Sequence, residues 1–96
     1  MFDKMKQLME MKKQADRIKR ELDAASVEVN TVKGITINIS GSQQLKKVTI
    51  ADDYFQEGRK DKLEADILQC VNAAISQSQQ LAAAKMKDAM PGMPGF

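Results

Sequence analysis

The chain has 96 residues, with 15 Lys and Arg against 13 Asp and Glu, one cysteine and no histidine. This length predicts one domain, and the cysteine and histidine counts exclude an internal disulfide bond and most zinc sites. The net charge of +2 indicates no partner by itself, because nucleic-acid binding depends on how charges cluster. No run reaches membrane-spanning length and no signal-peptide pattern is present, so we expect a soluble cytosolic protein without a membrane partner.

The first predicted element is a helix over residues 3–25, which contains no Gly or Pro and is rich in Met, Lys, Leu and Ala. Apolar residues recur along one stripe at spacings of three and four: Leu8, Met11, Ala15, Ile18, Leu22 and Ala25. Such a stripe is compatible with a coiled coil, but its Met and Ala content favours packing against a sheet or a second helix.

The other side of this helix is basic, and its six candidate residues are Lys6, Lys12, Lys13, Arg17, Lys19 and Arg20. Lys6, Lys13 and Arg20 repeat every seven residues and therefore fall on one line of a helix. A solvated surface with i,i+4 ion pairs is the common explanation of such a pattern. The in-phase repeat of like charge makes phosphate binding the alternative.

Residues 26–50 predict three short β-strands. Their alternating apolar positions are Val27 and Val29, then Ile35, Ile37 and Ile39, then Val48 and Ile50. Strict alternation places these residues on one face of a sheet. Lys33-Gly34 and Gly41-Ser42 supply turn residues between the runs. The pattern predicts a three-stranded antiparallel meander with Ile37 buried at its centre.

Residues 51–58 predict a loop or a short helical turn. Tyr54 and Phe55 are expected to pack under the sheet edge, with base stacking as the less favoured alternative. The segment Asp61–Glu64 resembles a capping box, which predicts the start of a second helix that runs to about Ala89.

The second helix has an apolar face formed by Leu63, Ile67, Leu68, Val71, Ala74, Ile75 and Leu81. Cys70 lies in this band and is expected to be a buried, unreactive thiol. Asn72 is unusual in the middle of a helix and predicts a hydrogen bond to another helix, with a ligand contact as the less favoured alternative. Residues 90–96 contain two Pro-Gly pairs and predict a flexible tail, which leaves residues 1–89 as the single domain.

The predicted fold class is therefore α+β, in the order α-β-β-β-α, with a three-stranded antiparallel meander flanked by two long helices. The sheet and the two helices carry more apolar surface than a chain of this size hides easily, so we expect a homodimer.

Catalytic groupings are missing from the sequence. No histidine is available as a general base. Gly41-Ser42 lacks the pattern of a phosphate-binding loop, and no base adjoins Cys70 in sequence. We expect no enzyme activity, no cofactor, no metal and no small-molecule substrate.

Several segments occur in a characteristic order: the basic first helix, Ile35–Gly41 (Ile-Thr-Ile-Asn-Ile-Ser-Gly), Leu45–Ile50, Asp61–Glu64, Val71–Ala74 and a final Pro-Gly-Met-Pro-Gly. Across essentially the whole chain, this order resembles the YbaB/EbfC family of small bacterial nucleoid-associated proteins. The resemblance implies a homodimer with a central sheet and projecting helices. It also implies a cytoplasmic protein on the nucleoid that binds double-stranded DNA with limited sequence preference.

The chain departs from the family pattern in two places. The glycine-rich loop before the second strand is reduced to Val32–Gly34, and no Lys or Arg lies between Lys62 and Lys85. The first helix is therefore the favoured DNA surface, and its six basic residues are the expected phosphate contacts. Two other clusters remain open as alternatives: Lys46 with Lys47, and Arg59 with Lys60 and Lys62.

A different class of function also remains open. A helical adaptor or prefoldin-like chaperone would flank a β-region with helices and would not bind DNA. The predicted helices, roughly 35 and 42 Å long at about 1.5 Å per residue, are short for that role.

Overall fold

The computed structural model describes residues 2–89. The elements in chain order are helix α1 (Phe2–Ala24), strands β1 (Ser26–Val29), β2 (Ile35–Ser40) and β3 (Leu45–Ile50), a 3₁₀ turn (Asp52–Phe55) and helix α2 (Lys60–Ala89). This order confirms the predicted α-β-β-β-α fold. The predicted tail at 90–96 lies outside the described residues.

The three strands form one antiparallel sheet in the order β1-β2-β3, which confirms the predicted meander. Ile37 lies opposite Val29 on one side and opposite Val48 on the other. Directly opposed residues point to the same face of a sheet, so all three strands contribute to a single apolar face. A register shift between Asn38 and Ile39 marks an irregularity in the β2–β3 pairing.

The core lies between this apolar face and α2, which packs across β1 and β2. Val29, Ile35, Ile37 and Ile39 are at most 1% exposed. Each such side chain contributes about 1.5–3 kcal/mol relative to an exposed position. Cys70 of α2 is wholly buried against them, as predicted.

Strand β3 contributes side chains to the same apolar face, but α2 leaves them largely uncovered. Leu45 is 47% exposed and Val48 is 48% exposed, although Val48 is the ladder partner of the buried Ile37. On α2, Leu68 is 64% exposed, so the predicted apolar face of that helix is only partly used. Leu45, Val48 and Leu68 are therefore apolar side chains that the described chain does not hide.

Two predictions about the region after β3 are wrong in part. Tyr54 is buried as expected, but Phe55 is 71% exposed, because successive side chains of a 3₁₀ turn point about 120° apart. Helix α2 begins at Lys60, which places Asp61 inside the first turn instead of before it. Glu64 accordingly pairs with Lys60 at 3.8 Å, and the predicted capping box does not form.

Asn72 is exposed and makes no side-chain hydrogen bond within residues 2–89, so its predicted bond to another helix is wrong. The side chain of Asn72 faces solvent and so has no buried group to bond. Asparagine at this position lowers the local helix propensity.

Only half of the apolar stripe of α1 packs against the rest of the chain. Ile18 is buried and Leu22 half-buried, whereas Leu8, Met11 and Ala15 are exposed. Leu22 of α1 contacts the β2–β3 turn, and Ser78 of α2 contacts the same turn. From there the two helices run antiparallel, side by side, away from the sheet. We call α1 up to Glu21, together with α2 beyond Ser78, the arm.

Candidate nucleic-acid interface

The arm gives the molecule its length, since the overall dimensions are 69 × 21 × 16 Å. Every side chain of α1 from Asp3 to Arg17 is exposed. All six basic residues predicted from the sequence lie on this exposed helix: Lys6, Lys12, Lys13, Arg17, Lys19 and Arg20.

The direction of the basic row follows from the buried residue of α1. At about 100° per residue, Lys6, Lys13 and Arg20 lie roughly 120–160° around the helix from Ile18. Ile18 marks the side that packs inward, so the row points away from the rest of the chain. Arg17 lies on one flank of the row, and Lys12 and Lys19 lie on the other.

The cations of the row are not engaged by neighbouring carboxylates. Within residues 2–89 the ion pairs closer than 4 Å are Lys60–Glu64 and Lys62–Asp66, and both lie at the start of α2. The acidic residues of α1 are nevertheless close. Asp16 shares a shallow crevice of about 390 Å³ with Lys13, Arg17 and Arg20, so it reduces the local positive potential without pairing with one cation.

Helix α2 adds a basic residue that sequence reasoning did not include. Lys85 lines a crevice of about 360 Å³ together with Arg17, Glu21 and Asp88. Lys85 ends the long stretch of α2 without Lys or Arg, which was the available signal. Only the packing of the two helices shows that it joins the flank of the basic row.

Charge is distributed unevenly along the molecule. The arm residues 3–21 and 79–88 contain nine Lys and Arg against five Asp and Glu. Residues 52–66, at the far end of the sheet, contain three Lys and Arg against six Asp and Glu. A polyanion is therefore attracted to the arm and repelled by the opposite end.

The alternative basic clusters are partly committed to contacts within the chain. The Lys46 ammonium donates a hydrogen bond of 2.7 Å to the Asp23 carbonyl oxygen, where it caps the C-terminus of α1. The Lys62 ammonium donates to Asp66 Oδ2 at 2.8 Å and stands 5.9 Å from the centre of the Tyr54 ring. Lys47 and Arg59 remain exposed.

Tyr54, Lys62 and Asp66 form a coupled group at the start of α2. The Tyr54 hydroxyl donates toward Asp66 Oδ2 at 2.8 Å, with the Lys33 carbonyl oxygen at 3.1 Å as a second acceptor. Hydrogen bonds from Lys62 and Tyr54 lower the pKa of Asp66, and the bond to Asp66 raises the pKa of Lys62. Burial, followed by the bond to Asp66, raises the pKa of Tyr54. These shifts belong to a structural contact that ties the 3₁₀ turn to α2.

Comparison with known proteins identifies the family of the chain. Residues 1–93 match the YbaB/EbfC DNA-binding family. The chain belongs to this family. A protein named "Nucleoid-associated protein" from Ruminiclostridium cellulolyticum is 30% identical over 94 residues, which cover 96% of this chain and 81% of that protein.

Two further relatives carry the same name. The one from Chloroflexus aurantiacus is 27% identical over 96% of this chain and 93% of its own length. The one from Roseiflexus castenholzii is 29% identical over 91% of this chain and 89% of its own length. YbaB/EbfC is a DNA-binding family and not an enzyme family.

The loop between β1 and β2 contains one glycine that the local geometry requires. Gly34 has φ +98°, and a Cβ there would lie 2.9 Å from Tyr54 Cε2. Both the backbone angle and the nearby ring therefore require glycine at this position.

Within the described part of this YbaB/EbfC member, no group of three or more His, Cys, Asp or Glu is arranged to hold a metal ion. None of the helices between residues 2 and 89 combines the length and the apolar character needed to cross a membrane.

Proposed function

We propose that this protein is a nucleoid-associated protein that binds duplex DNA as a homodimer, through the basic row of α1 and with limited sequence specificity. The observation that carries the proposal is the row itself, whose cations are exposed, face away from the core and make no ion pair within residues 2–89. Membership of a DNA-binding family supports the same partner. The names of the relatives support a location on the nucleoid, in the cytoplasm.

The physical basis of binding is the neutralisation of phosphates. Each Lys or Arg that meets a phosphate releases condensed counterions from the duplex, and this term does not depend on the base sequence. Base readout needs side chains that reach base edges in a groove with defined hydrogen bonds. A row of exposed Lys and Arg side chains on one helix face provides the first term and little of the second.

A homodimer would double the basic row and cover the apolar surface of β3. Leu45 and Val48 lie on the core face of the sheet but are about half exposed, and Leu68 of α2 is more exposed still. Strand β3 is also an edge strand, since β2 is its only neighbour in the sheet among residues 2–89. A second copy of the chain fits a surface of this kind, because a twofold contact buries the same apolar patch on both partners.

The dimer is tested at Val48. We expect light scattering at micromolar concentration to give twice the chain mass for the wild type. Val48→Asp should give a monomer, because the new charge would be buried without a partner. Thr49→Asp is the matched control, since it introduces the same charge on the opposite face of the same strand. A monomeric wild type, or equal effects of the two variants, would contradict the proposed contact.

Duplex binding is tested by titration against salt. In a dimer the row could neutralise on the order of six phosphates, so the log–log salt slope should be near −5, from about −0.9 per phosphate. Affinities for unrelated duplex sequences should lie close together. The absence of duplex binding at any salt concentration would favour the adaptor or prefoldin-like chaperone instead.

The surface is tested by charge reversal with a matched control. Lys13→Glu, Arg17→Glu and Arg20→Glu together should weaken binding to all duplexes and flatten the salt slope. The control triple Lys33→Glu, Lys47→Glu and Arg59→Glu changes the net charge equally at exposed positions outside the arm. Its side chains make no hydrogen bond or ion pair within residues 2–89.

Circular dichroism should show that both triple variants remain folded, because the changed side chains are exposed. Equal losses in the two triples would mean that only total charge matters. A larger loss in the control triple would move the contact to the sheet.

A further inference from the structure

The turn between β2 and β3, residues 40–44, is bonded to both helices at the base of the arm. On the α2 side, the Ser78 hydroxyl donates to the Ser40 carbonyl oxygen at 2.7 Å and accepts from the Gln43 N–H at 3.1 Å. Ser40 and Ser78 are both completely buried. A buried serine with two partners in one turn holds its helix at a defined position, since loss of either bond leaves a polar group unsatisfied.

On the α1 side, the same turn contacts the last residues of the helix. The Gly41 N–H donates to the Leu22 carbonyl oxygen at 2.9 Å, with the Ala25 carbonyl at 3.3 Å. Leu22 is among the last four residues of α1, whose carbonyls have no partner within the helix. A Cβ at position 41 would lie 2.8 Å from Leu22 Cδ2 and 3.2 Å from the Leu22 oxygen, so glycine permits this close approach.

The turn is itself held in one conformation. Ser40 Oγ accepts hydrogen bonds from the Ser42 and Gln44 N–H groups at 3.2 and 3.1 Å. Gln43 has φ +65°, a left-handed conformation that is uncommon for a residue other than glycine. The sequence predicted a turn at Gly41-Ser42, but the left-handed residue is Gln43, and Gly41 serves the contact with α1. Bonds to buried serines stabilise a backbone conformation that the sequence alone disfavours.

We infer that this joint, formed by residues 40–44 with Ser78 and Leu22, sets the direction of the arm and thereby positions the basic row for DNA. The inference rests on the proposed function. Ser78 is its central positioning residue, although it is buried and carries no charge.

The leverage follows from the length of α1 beyond the joint. From Leu22 to Lys6 the helix extends about 24 Å at 1.5 Å per residue. A tilt of 10° at the joint therefore moves Lys6 by about 4 Å, which separates a phosphate contact from none. Because α1 is exposed from Asp3 to Arg17, the contacts that fix its direction lie near the joint, where Ile18 is buried and Lys46 bonds the Asp23 carbonyl oxygen.

The direction of the arm can be measured without DNA. Fluorophores at Gln7→Cys and Thr49→Cys, in a Cys70→Ala background, report the distance from α1 to the sheet in the full-length chain. An excess of unlabelled chain leaves at most one labelled copy in a dimer. Ser78→Ala should broaden the distance distribution, whereas Ser76→Ala, an exposed serine on the same helix, should leave it unchanged.

The effect on binding is measured with the same variants. Ser78→Ala retains every cation, and we expect its Kd for duplex DNA to rise about three- to tenfold through lost preorganisation. Ser76→Ala should stay within about twofold of the wild type. Gly41→Ala keeps the Ser78 hydroxyl but crowds Leu22, so it should shift the mean distance and weaken binding by a second route.

The outcomes separate the inference from the proposed function. A wild type that binds no duplex overturns the proposed function and, with it, the role of the joint in DNA binding. A wild type that binds, with Ser78→Ala and Gly41→Ala unchanged in distance distribution or in Kd, overturns the inference alone. If Ser78→Ala fails to fold by circular dichroism, Gly41→Ala decides by the same two measurements.

Discussion

The sheet and the arm both contain apolar and charged residues, but the two regions differ in what surrounds those residues. Ile35, Ile37 and Ile39 of β2 are at most 1% exposed, whereas Leu8 and Met11 of α1 are 66% and 58% exposed. Strand β2 is covered by α2 and lies between β1 and β3. The first four turns of α1 have no such neighbours within the described chain. Stability therefore resides in the sheet, and the arm is free to carry a binding surface.

The electrostatic contrast runs in the same direction. Cations near the start of α2 are held in pairs, as Lys62 is by Asp66 at 2.8 Å, and they strengthen the fold. Cations on the arm have no such partners within residues 2–89, so no ion pair has to be broken before they meet a phosphate. The difference shows that the position of a Lys or Arg in the fold, and not its presence, decides which role it takes.

The largest expected effect contrasts one residue from each region. Ile37→Ala should cost about 2–5 kcal/mol of unfolding free energy, because it removes buried methyl groups and leaves a cavity. Leu8→Ala should change stability by about 0.5 kcal/mol at most, since Leu8 already faces solvent. Urea denaturation at one fixed protein concentration compares the two. A cost at Leu8 equal to that at Ile37 would show that the arm is covered in solution.

A smaller effect is expected at the paired end of α2. The pKa of Asp66 is lowered in the folded state, so its bonds add stability above the unfolded pKa of about 4, and this stability is lost as the pH falls through the folded value. Asp66→Asn should therefore lower the melting temperature at pH 7 and converge with the wild type in acid. The exposed Glu57→Gln is the control.

The same group should respond at alkaline pH. The pKa values of Lys62 and Tyr54 are raised, so their contributions are complete below about pH 10 and are lost as the pH rises through their folded values. A melting temperature of Asp66→Asn that runs parallel to the wild type over the whole range would contradict the contact. The melting temperature of Glu57→Gln, by contrast, should run parallel to that of the wild type over the whole pH range.

The smallest effect is expected at Phe55. This side chain is 71% exposed beside the buried Tyr54, so Phe55→Ser should change the unfolding free energy by no more than about 0.5 kcal/mol. Thermal denaturation at two protein concentrations measures it. A fall in melting temperature of several degrees would mean that a second copy covers Phe55, which would extend the dimer contact to the 3₁₀ turn.

Most of the secondary structure could be predicted because local patterns decide it. Alternation at Val27, Ile37 and Val48 identified the strands and their common face, and the absence of Gly and Pro identified α1. The six basic residues of α1 could be located on a helix surface for the same reason. Phe55 and Asn72 were misplaced because their patterns indicate only a preference for burial or bonding and say nothing about which neighbours are available.

By itself, then, the sequence determined the order of elements, the burial of Ile37 and Cys70, and the phased row of cations on α1. The tertiary structure decided which half of α1 is packed, that Lys46 caps α1, that Lys85 joins the basic flank, and that Ser78 and Gly41 bind one turn. The physical reason is the range of the interactions. Periodicity and propensity act over a few residues, whereas these contacts join positions more than 15 residues apart, and only the packed chain brings them together.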